Sequence, residues 1–208
     1  MEMPAEFSDF ITQFKDKEVL IEELFLKALI DSYSRVKNIE NIQNISEKKI
    51  RNEFQYDLTY SNKLTKQIID KGFITFTAEN QIINYEREVK RTDIQFIITG
   101  LLTYVVECKK LTGVSKAQYI DSGITRFVEN KYIGKDEKYA GMCSFIVGEN
   151  IEHIISGTKD RIKKYNFVSL NENTICDFVN SFRSIHNRVN YNNILIHHLF
   201  FDVNNKST

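Results

Sequence analysis

The chain has 208 residues, of which 42% are hydrophobic and 27% are charged, as is usual for a soluble globular protein with a sizeable core. Its 28 basic and 28 acidic residues cancel, so no overall charge attracts nucleic acid, although a local basic groove remains compatible with this total. Three widely spaced cysteines, without a CxxC or Cys–His pair, argue against a disulfide scaffold and a zinc site. The first residues lack a signal-peptide pattern and no apolar run approaches a membrane span, which predicts a cytoplasmic protein.

The N-terminal third is predicted to be helical. A short helix covers residues 5–15, and a longer one covers residues 16–37 with Asp16 as its N-cap. A third helix starts at Ser46 and runs to about Asp70.

Two acids lie at the edge of the apolar stripe of this third helix. Glu53 and Asp57 are one turn apart, beside Phe54 and Leu58. One interpretation is a solvated boundary, because long side chains reach water easily. The other is that Glu53 points toward an acidic cluster elsewhere in the fold.

The rest of the chain combines apolar, β-branched runs with amphipathic segments. Strands are predicted at 73–83, within 92–111, at 140–148 and at 193–203, and helices at 116–131 and 150–164. A strand meander followed by a helix and further strands predicts an α/β fold, a central sheet flanked by helices. One domain over residues 1–208 is the simplest interpretation.

The stretch 92–111 consists of two apolar runs joined at Gly100, which predicts a β-hairpin. Folding back at Gly100 places Asp93 across from residues 106–108. Because side chains alternate along a strand, Glu107 and Lys109 share one face while Cys108 takes the other. Charges in such apolar surroundings require partners or a metal ion.

Two converging carboxylates suit a hard cation such as Mg²⁺ or Mn²⁺, and a nearby lysine can orient water or stabilise charge on phosphorus. This set, Asp93, Glu107 and Lys109, is therefore suited to phosphodiester hydrolysis. The alternative is a cross-strand salt bridge that holds the edge of a sheet. The same acid-x-lysine spacing recurs at Glu47, Glu88, Glu129 and Asp136, but only Glu107 ends a strand that faces another acid.

The order of these residues resembles the PD-(D/E)XK nuclease superfamily: a helix with Glu53, a strand, Asp93, then Glu107-Cys108-Lys109, a helix and a strand. Thr92 stands where the family usually has proline. The resemblance covers residues 46–148 and implies a restriction-endonuclease-like core, with a helical extension over 1–45 and additions over 149–208.

The resemblance also implies roles for individual residues. Asp93, Glu107 and the Cys108 carbonyl would bind Mg²⁺ or Mn²⁺, and Glu53 would contact it through water. Lys109 would position the attacking water. The helix after the catalytic strand often faces substrate, which makes Arg126 a candidate phosphate ligand.

A basic stretch follows the hairpin, and Lys110, Lys116 and Arg126 are its candidate nucleic-acid contacts, with a solvated surface as the alternative. The C-terminal tail resembles an extension of small nucleases in bacterial phage-defence cassettes. Within it, His186 and Arg188 are either phosphate ligands or ordinary polar contacts. His197 and His198 lie in an apolar strand, which favours a core histidine over a ligand.

Sequence signatures of nucleotide-binding loops, zinc proteases and serine hydrolases are missing. The sequence therefore predicts a metal-dependent nuclease acting on DNA in bacterial defence or restriction, without distinguishing DNA from RNA. An ATPase, helicase or sensor subunit is the expected protein partner, and a homo-oligomer is compatible with the sequence. The alternative is a non-catalytic subunit of a larger complex.

Overall fold

The computed structural model describes residues 5–83, 89–112, 119–129, 136–188 and 191–204. The helices are α1 (Ala5–Thr12), α2 (Lys17–Leu20), α3 (Lys27–Val36), α4 (Glu47–Tyr56), α5 (Lys63–Asp70), α6 (Thr125–Val128) and α7 (Ile151–Ile162). Three π-helical segments adjoin them: Ile21–Leu26 links α2 to α3, Asp57–Ser61 follows α4, and Tyr119–Ile124 precedes α6. A short 3-10 helix covers Ile42–Asn44.

The strands are β1 (Thr75–Ile83), β2 (Val89–Ile98), β3 (Leu102–Leu111), β4 (Tyr139–Ile146), β5 (Phe167–Asn171), β6 (Ser181–Arg188) and β7 (Tyr191–Asp202). Within the described residues they form one seven-stranded mixed sheet in the order β1-β2-β3-β4-β7-β6-β5. The first three strands are an antiparallel meander, whereas β3, β4 and β7 are parallel neighbours. The chain is thus an α/β protein, as predicted.

Alternation along the strands divides the core between the two faces of the sheet. On β3, Val106 and Cys108 pack against the N-terminal helices, whereas Val105 and Leu111 pack on the face that α6 and α7 cover. Because both faces are covered, the sheet buries polar side chains as well as apolar ones. No helix in the described residues is both long and apolar enough to cross a membrane.

The predicted N-caps are confirmed. The Asp16 side chain accepts the Val19 N–H (2.9 Å), and the Ser46 hydroxyl accepts the Lys49 N–H (3.3 Å). The single helix expected over 46–70 is wrong, because it divides at Asn62 into α4 with its π-helical continuation and α5. Asn62 has extended backbone angles and caps α5 through the N–H groups of Leu64 and Thr65.

Two strands, β5 and β6, were not expected. The sequence of β6, SFRSIHNR, lacks the apolar alternation that marks a half-buried strand. All of its polar side chains except that of Asn187 are nevertheless buried, because residues distant in the sequence bind several of them. The helix expected at 116–131 is described only over the π-helical segment and α6, since 113–118 and 130–135 lie outside the described residues.

Candidate active site

The β2–β3 hairpin has the predicted geometry. Gly100 adopts a positive φ of 77° at the turn, a conformation that glycine tolerates without strain. The pairing register aligns Ile94 with Val106, so Asp93 and Glu107 occupy the next position on their strands. Asp93 is close enough to affect Glu107 and Lys109 electrostatically. The two carboxylates and the ammonium group are therefore brought together, as expected.

Asp93 is held by one charged group and one backbone amide. Its Oδ1 forms an ion pair with the guanidinium of Arg51 on α4, and its Oδ2 accepts the Cys108 N–H at 2.7 Å. The Arg51 and Asp93 side chains are only 7% and 14% exposed. The amide contact fixes the Asp93 carboxylate against the backbone of β3, directly beside Glu107.

Glu107 is almost completely buried and binds two cations through one oxygen. Its Oε1 lies 2.7 Å from Lys109 Nζ and 2.5 Å from an Arg126 guanidinium nitrogen. Lys109 follows on the same face of β3, and Arg126 reaches the carboxylate from α6. The Glu107 carboxylate therefore links β3 to α6.

The second oxygen of Glu107 is a chemically unusual atom of the cluster. Glu107 Oε2 is buried and accepts no hydrogen bond within the described part of the chain. Burial, reinforced by the negative charge of Asp93, raises the pKa of Glu107 to about 7, although Lys109 and Arg126 act in the opposite direction. A buried acceptor oxygen that faces another acid is a position where an added cation would be stabilised.

Lys109 remains an ammonium group at neutral pH. Burial acts to lower its pKa, but the charge and hydrogen bond of Glu107, together with the charges of Glu47 and Asp93, outweigh it, and the pKa is raised. A lysine in this state donates hydrogen bonds and stabilises negative charge. It is unsuited to accept a proton.

The acid of α4 that acts on the cluster is Glu47: its carboxylate accepts the Lys110 N–H at 2.7 Å, and its charge raises the pKa of Lys109. Glu53, the acid expected there, has no hydrogen bond or ion pair to the cluster among the described residues. Glu47 and Arg51 are one turn apart on α4 and both face the β2–β3 hairpin, where Glu47 accepts the Lys110 N–H of β3 and Arg51 binds Asp93 of β2. Glu53 and Asp57 lie on another side of the helix, where Asp57 binds Arg35 of α3 with contacts of 2.6 and 2.7 Å. The spacing of Glu47 and Arg51 by one helical turn is the sequence signal that could have identified this face of α4. The apolar stripe alone does not indicate which of its two edges faces the hairpin.

Cys108 points away from Glu107, as alternation predicts. Its side chain is fully buried in the core under the N-terminal helices, opposite Cys143 of β4, and both are free thiols. The metal-binding role predicted for Cys108 involves only its main-chain carbonyl, which directly follows Glu107 on β3, and not the buried thiol.

The three candidate nucleic-acid contacts have different positions. Arg126 binds Glu107, and its side chain is 35% exposed at the cluster. Lys110 lies on the other face, where its Nζ donates to the carbonyls of Gln43 and Ile45 at 2.7 and 2.8 Å. This ties β3 to the segment before α4, a structural role. Lys116 lies outside the described residues.

His186 and Arg188 make the polar contacts that were the alternative to phosphate binding. The buried His186 ring donates from Nδ1 to the Tyr165 carbonyl at 2.6 Å, and its Nε2 lies 2.8 Å from the Ser184 hydroxyl. Arg188 donates to the carbonyls of Asn192 and Glu137 at 2.8 and 2.7 Å. These groups fix β6 and are 0% and 4% exposed.

His197 and His198 are both fully buried, on opposite faces of β7. His198 contacts the Tyr119 and Ser184 hydroxyls at 2.5 and 2.7 Å, and burial lowers its pKa well below the ordinary value. His197 lies 3.2 Å from the Tyr104 hydroxyl and 3.3 Å from a Glu22 oxygen. The expectation of core histidines thus applies to both rings.

A second charged cluster surrounds His197. In the described residues, Glu18, Glu22 and His197 form the one group of three or more acidic, histidine or cysteine ligands close enough to share an ion. The same Glu22 oxygen that approaches His197 accepts the Arg183 Nε–H at 2.5 Å. Since Arg183 already compensates this carboxylate, we interpret the group as an ion-pair network that attaches the N-terminal helices to β6 and β7.

Comparisons with protein-family models, with curated proteins and with solved structures found no match to this chain.

Proposed function

We propose that this protein is a metal-dependent nuclease that hydrolyses DNA phosphodiester bonds, with a role in bacterial anti-phage defence or restriction. The observation that carries the proposal is the convergence of Asp93, Glu107 and Lys109 at the end of the hairpin. Two acids and a lysine at adjoining strand positions have the donor types that metal-assisted phosphoryl chemistry requires.

The order of elements supports a place in the PD-(D/E)XK superfamily and a restriction-endonuclease-like core. Helix α4 precedes the β1–β2–β3 meander, α6 follows, and β4 then pairs parallel to β3. Asp93 lies on the second of these strands and Glu107 and Lys109 on the third, in the order that the superfamily uses. The register of β2 and β3 adds a spatial relation that the motif by itself lacks.

The residues present fit a hard divalent cation. Glu107 Oε2 is a buried acceptor oxygen without a hydrogen-bond donor in the described parts of the chain, and the Asp93 carboxylate is fixed beside it. Asp93, Glu107 and the Cys108 carbonyl would hold Mg²⁺ or Mn²⁺, with Glu47 of α4 in the place expected for Glu53. Such an ion polarises a phosphate oxygen and lowers the pKa of bound water.

The cationic side chains have separate roles in this proposal. Lys109, held by Glu107, orients the attacking water and stabilises charge that develops on the phosphate. Arg126 approaches from α6 with part of its guanidinium exposed, so it is placed to bind a phosphate oxygen from the solvent side. Arg51 orients the Asp93 carboxylate through their ion pair.

Replacement of Lys109 by alanine tests the proposal. Supercoiled plasmid is incubated with Mg²⁺ or Mn²⁺ and the pure protein, and nicked and linear products are followed over time. We expect Lys109→Ala to reduce the initial rate by about 100-fold or more, because a charged donor to the developing negative charge is lost. Lys163→Ala serves as the matched control. Lys163 is an exposed lysine that pairs with Asp160 and not with the cluster, so this variant should cleave like the wild type.

Equal rates for wild type and Lys109→Ala would refute the assignment of this residue. Absence of cleavage by the wild type on plasmid, single-stranded DNA and RNA, with an ATPase or sensor partner supplied, would refute the nuclease function.

A specific observation favours the second candidate, a non-catalytic subunit of a multiprotein complex. Each acid of the cluster already has a cationic partner: Arg51 for Asp93, and Lys109 with Arg126 for Glu107. Such a network is able to stabilise the sheet without taking part in any reaction. Titration calorimetry with Mn²⁺ separates the candidates. A nuclease should show heat of metal binding that Asp93→Asn abolishes, whereas a purely structural network should show no such heat.

A further inference from the structure

Within the charged cluster of Asp93, Glu107 and Lys109, the Glu107 carboxylate binds two cationic side chains through one oxygen. Its Oε1 is 2.7 Å from Lys109 Nζ and 2.5 Å from an Arg126 guanidinium nitrogen, whereas Oε2 has no donor among the described residues. A divalent cation on this carboxylate would therefore lie close to two positive charges. Because the carboxylate is buried, water screens the repulsion between these charges only weakly. The two side chains thus oppose the binding of a metal ion to Glu107.

Lys109 is the cation that stays at the carboxylate. It follows Glu107 by two residues on β3, and the backbone of both residues pairs with β4 inside the sheet. Only 13% of the Lys109 side chain is exposed, and the charges of Glu47 and Asp93 favour its ammonium form in addition to that of Glu107. A shift of Lys109 away from the cluster would place its charge in the core.

Arg126 is the cation that can leave. Its side chain is 35% exposed, although the Glu107 side chain that it contacts is only 1% exposed. The next two residues of α6, Phe127 and Val128, are buried and hold this helix on the core. A change of the Arg126 rotamer therefore releases the carboxylate while α6 keeps its place. The long arginine side chain reaches water readily, so its charge is solvated after release.

We propose that Arg126 competes with the divalent cation for Glu107 and is released from this carboxylate when the cation binds; this inference rests on the proposed nuclease function. The metal ion then compensates the Glu107 charge in place of the guanidinium. Once released, Arg126 can pair with a phosphate oxygen of the substrate, which is the role that the nuclease proposal gives it.

A single side chain then couples the binding of metal to the binding of substrate. A phosphate that draws Arg126 away from Glu107 removes the competitor of the metal ion. Such coupling is reciprocal, so substrate increases the metal affinity by the same factor by which metal increases the substrate affinity. Protein that is not engaged with nucleic acid should therefore bind metal more weakly than protein on its substrate.

Titration calorimetry with Mn²⁺ tests the competition without any cleavage. We expect Arg126→Ala to bind Mn²⁺ about tenfold more tightly than the wild type, because the metal ion no longer has to displace a charged hydrogen bond. The same variant should cleave plasmid more slowly, since its phosphate ligand is lost. Arg161→Ala, at an exposed arginine of α7, is the matched control and should leave the Mn²⁺ affinity unchanged.

A second measurement separates displacement of Arg126 from the general effect of removing a positive charge. Nuclear magnetic resonance follows the guanidinium signals of the wild type during titration with diamagnetic Mg²⁺, and the signals missing from Arg126→Ala identify Arg126. We expect the Arg126 signals to shift and to exchange faster with water as the contact with Glu107 is lost. The signals of Arg183, which binds Glu22 in the second cluster, should not change.

Each result decides the inference. Equal or weaker Mn²⁺ binding by Arg126→Ala would overturn it, and so would Arg126 signals that Mg²⁺ leaves unchanged. If Asp93→Asn still abolishes the heat of Mn²⁺ binding in either case, the metal site of the nuclease proposal stands and only the competition is refuted. Absence of Mn²⁺ binding in the wild type and in Arg126→Ala would refute both.

Discussion

At the scale of single residues, the notable feature is that buried charges are compensated by partners far apart in the sequence. Asp93 on β2 uses Arg51 of α4, Glu107 uses Arg126 of α6, and Glu22 uses Arg183 of β6. A buried carboxylate that loses such a partner is strongly destabilising. Each pair therefore also fixes the position of one helical element relative to the sheet.

Glu22 provides a prediction for acid stability. Burial acts to raise its pKa, but the hydrogen bonds and charges of His197 and Arg183 outweigh it and lower the pKa from 4.5 to about 2. Because the folded state holds this proton less tightly than the unfolded chain, the stabilisation is present above pH 4.5 and is lost as the pH falls toward 2. Glu22→Gln should therefore lose less stability than the wild type over this interval.

Urea unfolding at several pH values measures the difference, with Glu172→Gln as a control. Glu172 also has a lowered pKa, through Lys159, but it is fully exposed, so solvent should screen most of its effect. A wild-type acid dependence identical to that of Glu22→Gln would contradict the role of this network.

At the scale of elements, Asn62 shows how one polar residue joins two helices, α5 and α3. Its Oδ1 caps α5 at the Leu64 and Thr65 N–H groups, and its Nδ2 donates to the Ala28 carbonyl of α3 at 3.0 Å. The side chain is 1% exposed, so water cannot replace these bonds. The break between the π-helical segment and α5 is thus anchored to the N-terminal helices.

Asn62→Ala should lower the free energy of unfolding by about 2–4 kcal/mol, the sum of a lost cap and a buried carbonyl left without its donor. Asn150→Ala removes an exposed cap of α7, where Asn150 accepts only the His153 N–H at 3.0 Å, and should cost about 1 kcal/mol. Chemical denaturation of both variants provides the comparison. Equal costs would show that the contact with α3 contributes nothing.

The same elements show what the sequence can and cannot predict. The hairpin at Gly100, the caps at Asp16 and Ser46 and the buried strand β4 follow from local patterns and are confirmed. Local patterns fail where distant partners decide. Strand β6 buries Arg183 and His186 because Arg183 binds Glu22 and His186 binds the Tyr165 carbonyl. Both partners lie outside the SFRSIHNR segment, so its local pattern does not predict the burial.

The charged cluster illustrates the same limit. Alternation on β3 correctly separates Glu107 from Cys108, since that rule concerns a single strand. The choice between Glu47 and Glu53 depends on how α4 is rotated over the sheet. That rotation is set by the packing of Ile50 and Phe54, both fully buried, against residues of several other elements.

At the scale of the whole molecule, one sheet with both faces covered carries the charged cluster between its two cores. Arg51 reaches the cluster from the layer of N-terminal helices, and Arg126 reaches it from the opposite layer. A ligand bound to Asp93 and Glu107 should therefore stabilise the assembly of both layers, provided that it binds the folded state alone.

Mn²⁺ at about 100 times its dissociation constant should add about 2.7 kcal/mol of stability and raise the unfolding temperature by about 5–10 °C. Differential scanning fluorimetry measures this shift for each protein relative to its own metal-free midpoint. Asp93→Asn should abolish the shift because a proposed ligand is lost. Glu53→Gln should retain it because, among the described residues, no hydrogen bond or ion pair joins Glu53 to the cluster. A shift that survives Asp93→Asn would place the metal elsewhere.

The paired thiols of Cys108 and Cys143 give this architecture a built-in reporter. They face each other across β3 and β4, fully enclosed beneath the helical layer, and Cys108 immediately adjoins Glu107. An alkylating reagent can reach them only when these parallel strands separate or the covering helices lift away. The rate at which Cys108 and Cys143 are alkylated therefore measures how readily the fold opens beside the charged cluster, and no label has to be introduced.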